Sequence, residues 1–271
     1  MRVSDVKSGF SRRALLASAA APLLYAASEQ PFFALCMDTH DEKKRTLSEQ
    51  ARMLGELGYA GAGHLWLGNV QERLATLDRE RLQLYQIYML VDLGPKAKAP
   101  YDARLAEVLP LRAGRPTQLA LLMAGGAPSD ASLDERGVTV IREIADAAAR
   151  HKVKLVLYPH QRHWLETVQD GLRLVRKTGR ANVGVMFNLC HWLKAGREAD
   201  AGPLLKEAMP YLWAVSINGT DRREEIRAGT GNWIQPLDSG SFDMAGFLGT
   251  LRRSGYRGPV GLQCYGIAGD A

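Results

Sequence analysis

Eight short apolar, β-rich runs, each separated from the next by a stretch of helical spacing, constrain this 271-residue chain more than any other feature. They are Phe32–Met37, Tyr59–His64, Gln83–Val91, Gln118–Met123, Lys154–Tyr158, the run that opens Asn182–His191, Leu212–Ile217 and Val260–Gln263. Strands covered on both faces read as continuous apolar runs rather than as an alternation, which points to a parallel sheet. Between them lie Leu47–Leu57 with Gly58 as its stop, Val70–Leu82, Asp102–Leu111, Asp134–His151, Trp164–Lys177, Ala201–Met209 and Phe242–Ser254. Asp134–His151 is the clearest amphipathic helix, with Val138, Ile141, Ile144, Ala145 and Ala148 on one side. A long polar loop, Asn218–Ser241, follows the seventh run. The pattern predicts an α/β chain, a (β/α)8 TIM barrel spanning residues 31–271 as a single domain. Only seven residues follow Cys264, so the eighth helix is expected to be missing or truncated.

The N-terminus reads differently. Ser11-Arg12-Arg13-Ala14-Leu15-Leu16 opens an Ala-rich apolar run to Ala27, preceded by Arg2 and Lys7. A charged n-region, a short h-region and small residues near a cleavage point match an export signal, and the twin arginine suggests the Tat type. Residues 1–27 are therefore expected to be a signal peptide and the mature protein to be periplasmic. A surface helix that starts with two arginines is the alternative. The run is too short for a comfortable membrane span, so no stable insertion is expected after cleavage, although an uncleaved anchor stays open. Loss of Arg2, Lys7, Arg12 and Arg13 together with Asp5 lowers the formal charge of +6 by three. The basic balance thus owes much to the leader, and no Lys/Arg block with interleaved aromatics suggests nucleic acid. Composition, at 46% hydrophobic and 24% charged, excludes a disordered chain. Cys36, Cys190 and Cys264 read as buried thiols, with a Cys36–Cys264 bridge between first and last strands as an alternative.

Polar groups at the C-terminal ends of barrel strands face the active-site mouth. In Asn182–His191 the apolar Val183, Val185 and Phe187 give way to Asn188, Cys190 and His191. Four of the six histidines, His40, His64, His160 and His191, fall at such ends. A histidine titrating near neutrality can act as general acid or base. A hydrogen-bonded histidine of the barrel rim is the bland reading of any one of them.

Several segments carry a resemblance. GELGYAGAGH (55–64) is similar to a Gly-Tyr-x-Gly turn closing on a polar residue, and KLVLYPH (154–160) to a segment normally reading Leu-Glu-Asn-His. NVGVMFNLCHWLKAG (182–196) is similar to Phe-Asp-x-x-His before a Gly, and residues 237–263 to a Gly-x-x-Asp, helix, Gly-Tyr-x-Gly, strand ending. Together, in this order, they resemble the xylose-isomerase-like TIM barrels, the sugar phosphate isomerase/epimerase superfamily. That resemblance implies a small-molecule carbohydrate as partner. It also implies a divalent cation held by Glu, Asp, His and Glu at four strand ends. The corresponding positions here are Tyr158, Asn188, Asn218 and Gln263, all neutral, with Ser216 close to Asn218 on the same face. Hard cations need anionic oxygen or imidazole, so the family's metal site is expected to be lost and no cofactor is expected.

The resemblance places His191 close to substrate and matches His160 to the His of Leu-Glu-Asn-His. With His64, which replaces a carboxylate often found at the end of strand two, they are the expected catalytic residues. His40, Tyr158, Asn188, Asn218, Gln263 and Trp192 are the expected substrate-binding residues. Tyr158 could donate a proton or fill space. Trp66, Trp164, Trp192 and Trp233 could stack on a sugar or pack helices on the barrel. Asp38, Asp221 and Asp238 could supply a base or be solvated loop charges. A zinc site built from His40, His64, His160 and His191 is a further alternative. No Gly-rich nucleotide motif and no Gly-x-Ser-x-Gly elbow occurs. The expected function is isomerase- or epimerase-type proton transfer on a carbohydrate without metal. A non-catalytic sugar-binding barrel, or a lyase or hydrolase of keto-glycosides, are the alternatives. Nothing constrains the oligomeric state.

Overall fold

The computed structural model describes residues 30–36, 41–112, 114–196 and 200–267. The expected signal peptide, Asp38 and His40 lie outside the described residues. The eight strands are β1 (Phe32–Ala34), β2 (Gly61–Leu65), β3 (Gln83–Asp92), β4 (Gln118–Ala124), β5 (Lys154–Leu157), β6 (Val183–Asn188), β7 (Leu212–Ile217) and β8 (Val260–Leu262). All pair in parallel in sequence order, and β8 returns to β1 to close the barrel, as the alternation predicts. The helices are α1 (Leu47–Glu56), α2 (Val70–Arg79), α3 (Leu105–Leu111), α4 (Asp134–Ala149), α5 (Val168–Thr178), α6 (Leu189–Ala195), α7 (Gly202–Ala208), α8 (Arg223–Arg227) and α9 (Met244–Arg253). Among the described residues no helix follows β8 and none is long and apolar enough to cross a membrane.

Strand alternation sorts the core. Leu155, Leu157, Val183, Val185, Phe187, Val215 and Ile217 face outward and pack under the helices. Phe33, Leu35, Tyr88, Ala120, Val156, Met186 and Ala214 face inward and fill the barrel. The same parity turns Tyr158, Asn188, Ser216, Asn218 and Gln263 inward at the top of β5 to β8. Two glycines make room for the interior: a Cβ on Gly63 would stand 2.8 Å from the Tyr88 ring, and one on Gly184 2.4 Å from the Trp213 ring.

Local departures from the sequence expectation have local causes. β1 ends at Ala34 rather than Met37, and Cys36 takes a left-handed φ of 46°, which carries the chain out of the sheet. The segment after β6 forms α6, whose N-terminus is capped by Asn188 Oδ1 accepting from His191 N at 3.0 Å. Seven residues are too few for helical periodicity to show. α5 starts at Val168 rather than Trp164, because Thr167 and Asp170 form a capping box there. The long loop after β7 holds α8 and an isolated bridge, Gly219 to Gln235. No disulfide joins Cys36 and Cys264.

Candidate active site

A cavity of about 420 Å³ opens at the C-terminal ends of the strands. One wall is imidazole. Tyr158 N still bonds to Leu121 O at 2.9 Å, but the chain then turns away through Pro159, and His163 N closes back on His160 O at 3.0 Å. This turn stacks His160 on His163, centroids 4.3 Å apart at 28°. His191, in the first turn of α6, brings its ring to 3.8 Å from His160. His160 Nδ1 lies 2.9 Å from Gln161 O. A carbonyl only accepts, so Nδ1 carries the hydrogen and Nε2 keeps its lone pair.

The cluster is electrostatically disfavoured as a cation. Burial, then the His163 charge, outweigh the Gln161 carbonyl and push His160 down to about 4 from its ordinary 6.5, with Lys194 adding to the shift. Burial first, then His160, Lys194 and His163, hold His191 well below its ordinary value. Burial lowers His163 as well. All three are neutral near pH 7, and protonating one opposes protonating the next. His191 Nδ1 and His163 Nδ1 are buried with no hydrogen-bond partner.

Below the imidazoles lies an amide knot. Asn188 Nδ2 donates to Tyr158 Oη at 3.0 Å and to Gln263 Oε1 at 2.9 Å. Because the His191 backbone N–H can only donate, Asn188 must present Oδ1 to it and turn its NH2 toward the barrel axis. Tyr158 is buried among Tyr88, His160 and His191, and burial raises its phenol well above the ordinary value. Asn218 differs: its Nδ2 donates to Gly219 O and Trp233 O, both at 2.8 Å, so it anchors the long loop, while Oδ1 and Ser216 Oγ are buried without partners.

These four positions, where the resemblance expects a divalent cation, offer amide N–H, a phenol and neutral oxygens but no carboxylate. Such a donor set does not fit a divalent cation. Among the described residues no group of three His, Cys, Asp or Glu could hold a metal ion. Of the four histidines of the zinc alternative, His64 has both ring nitrogens engaged by Gly68 O and Arg73, away from the cavity.

Two of the expected site residues, His64 and Trp192, do not line this cavity. His64 faces outward, because inward-facing Gly63 precedes it in β2. Arg73 Nε donates to His64 Nδ1 at 3.3 Å and His64 Nε2 meets Gly68 O at 2.6 Å, while Arg73 also reaches Gln50 at 2.6 Å. It joins α1 and α2 to the sheet and does not line the cavity. Trp192 is buried against Phe187, with the Arg223 guanidinium 5.1 Å over its ring, so it packs α6 on the barrel. Trp164 is also a plug, donating to Asp130 O at 2.7 Å. Trp66, 43% exposed, does line the cavity, and Trp233 lies under Lys194 Nζ at 5.6 Å. Asp221 is no base in the cavity: it accepts from Asn232 N, Gln235 Nε2 and Ser241 N, and these bonds hold its carboxyl low. Asp238 is an exposed loop charge that accepts from Ser239 Oγ at 3.2 Å. Sequence reasoning missed His163 and Lys194, which line the cavity. Their signals were local spacings, three residues after His160 across a turn and three after His191 on one helix.

The profile of the xylose isomerase-like TIM barrel family matches residues 110–268. The chain belongs to that family. No curated protein matches it in sequence. Three solved structures share the fold. A probable 3-DHS dehydratase involved in petrobactin synthesis from Bacillus anthracis has a TM-score of 0.70 at 16% identity, over 88% of this chain and 94% of that one. The 3-keto-D-glucoside 4-epimerase of E. coli has a TM-score of 0.67 at 15% identity, over 89% and 94%. D-psicose 3-epimerase with D-tagatose from Clostridium cellulolyticum H10 has a TM-score of 0.67 at 16% identity, over 89% and 87%. At such identities the likeness is one of fold.

Proposed function

We propose that this family member is a sugar-modifying enzyme of isomerase or epimerase type that moves a proton next to a carbonyl without a divalent cation. The observation that carries the reading is the His160–His191 ring contact in the wall of the barrel-mouth cavity. His160 Nε2 keeps a lone pair and takes the proton from the carbon; His191, 3.8 Å away, is the second imidazole that exchanges it. Gln263, its carbonyl held by Asn188, leaves its NH2 for the substrate oxygen on which charge develops. Trp66 offers an aromatic face to the ring at the rim. Family membership and the epimerases among the structural neighbours support the substrate class. Abstraction beside a carbonyl also opens an elimination, so a lyase acting on keto-glycosides would share this first step and differ in product.

The test is deuterium uptake at carbon. Ketoses and keto-glycosides incubated with the protein in D2O, with and without EDTA, are followed by proton NMR. Exchange is expected to persist in EDTA and to fall about 100-fold or more in His160→Gln or His191→Gln. Exchange that requires an added divalent ion sinks the metal-free mechanism. A non-catalytic sugar-binding barrel is the second reading. It is favoured by a pKa near 4 for His160, which makes it a weak base, and sugars that bind without any exchange would establish it. We further infer export to the periplasm, from the twin arginine and apolar run of residues 11–27. Retention of an Arg12→Lys/Arg13→Lys variant in the cytoplasm, where the native chain leaves it, is the check.

A further inference from the structure

The charge of the cavity wall is lopsided. Its lining draws on Cys36 after β1, Tyr88 of β3, Tyr158, His160 and His163 after β5, and Lys194 of α6. Among the described residues lining it, Lys194 is the one charged side chain, and no carboxylate faces it. Several cations elsewhere are paired: Arg173 and Lys177 both reach Asp134, Arg115 reaches Asp78 and Arg180 reaches Asp146. Lys194 has no such ion pair among the described residues. Its Nζ lies over the Trp233 ring at 5.6 Å, and its charge is felt by both His160 and His191. An ammonium held at a cavity wall beside three neutral imidazoles is a surface that favours anionic oxygen.

We propose that the carbohydrate bound here carries a carboxylate, as a uronate or a keto-acid sugar does, seated on Lys194. The inference rests on the carbohydrate reading above and adds the charge of the ligand. A carboxylate fits better than a phosphate because one lysine balances one negative charge. A phosphate dianion would leave charge unmatched in a wall with no guanidinium among its described residues. His163, on the same wall, keeps its Nδ1 buried without a hydrogen-bond partner. Two opposite demands are thereby separated in space: the amide knot meets the neutral end of the sugar and α6 meets the acid end.

The experiment is calorimetric titration of the full chain with matched sets of sugars: glucose, glucuronate and glucose 6-phosphate; galactose, galacturonate and galactose 6-phosphate; fructose and its uronate. At least one uronate is expected to bind about tenfold more tightly than its neutral parent. Lys194→Met is expected to bring that uronate to the affinity of the parent, and Lys194→Arg to restore the preference. Unchanged melting temperatures establish that both variants fold. Equal binding of neutral and acidic members, or a preference untouched by Lys194→Met, overturns the inference and leaves the carbohydrate reading standing. Tighter binding of the phosphates than of the uronates also overturns it, naming phosphate as the anion. If no member of any set binds, the carbohydrate reading itself falls, and this inference with it.

Discussion

His64 and His191 stand at the tops of two barrel strands and live in opposite surroundings. His64 sits on the outer side of β2 in a chain of contacts through Arg73, Gln50 and Asp41, with its ring nitrogens engaged. His191 sits on the opposite side of the fold, in ring contact with His160, without a carboxylate and with Nδ1 unpartnered. In the outer network both ring nitrogens of His64 are engaged, and the Arg73 side chain that meets one of them joins two helices to the sheet. The inner one is buried, neutral and incompletely paired, a condition that costs stability and that a ligand relieves. In this molecule the surroundings, more than residue type, separate the histidine of the outer network from those of the cavity wall.

The sharpest way to break that contrast is to remove both rings in turn. His191→Gln is expected to abolish carbon-bound deuterium uptake by about 100-fold or more while the melting temperature moves little. His64→Gln is expected to leave uptake within a few-fold and to lower stability instead. Loss of uptake in His64→Gln would erase the distinction. Next in size is Arg73→Met, which removes the donor to His64 Nδ1 and Gln50 Oε1 in a fully buried place. It is expected to cost about 3 kcal/mol in urea unfolding, with affinity for sugar retained.

A pH titration sharpens the contrast further. His160 has a folded pKa lowered to about 4, so the unfolded chain binds the proton more readily. Its contribution is full above about pH 6.5 and is lost as the pH falls from there toward 4. The loss amounts to about 3 kcal/mol at the acid end. Urea unfolding of the wild type and of His160→Gln at several pH values is expected to show this slope shrinking in the variant. The smallest effect expected is a gain. Asn188→Asp with Gln263→Glu puts two carboxylates back at the strand ends, and millimolar Mn2+ is expected to raise its melting temperature by a few degrees but not that of the wild type.

The barrel was legible because eight apolar runs and the helical spacing between them repeat one rule, buried parallel strands under amphipathic helices. The inward set Tyr158, Asn188, Asn218 and Gln263 was legible too, since alternation within β5 to β8 fixes it. The facing of His64 was not. β2 is short and Gly-rich, and its register against β3 shifts between Ala62 and Gly63, so no side-chain alternation in the sequence marks its inner face. His163 and Lys194 escaped because a turn and a seven-residue helix carry them, and neither has a period to read. Asp221 and Trp192 were ambiguous for another reason: a loop carboxylate and a rim aromatic have the same sequence appearance whether they meet a substrate or bind their own chain.

Trp164 has a consequence beyond packing. Its indole fills the hollow left by Gly126 and Gly137, while Ser129 N bonds to Trp164 O, Leu165 N to Met123 O and His160 N to Leu165 O. The segment that displays His160 and His163 is thus riveted at both ends to the neighbouring strand and its loop. Such a wall is finished before any ligand arrives. Encounter should then proceed in a single kinetic phase whose rate rises linearly with sugar concentration, with no slow rearrangement following it.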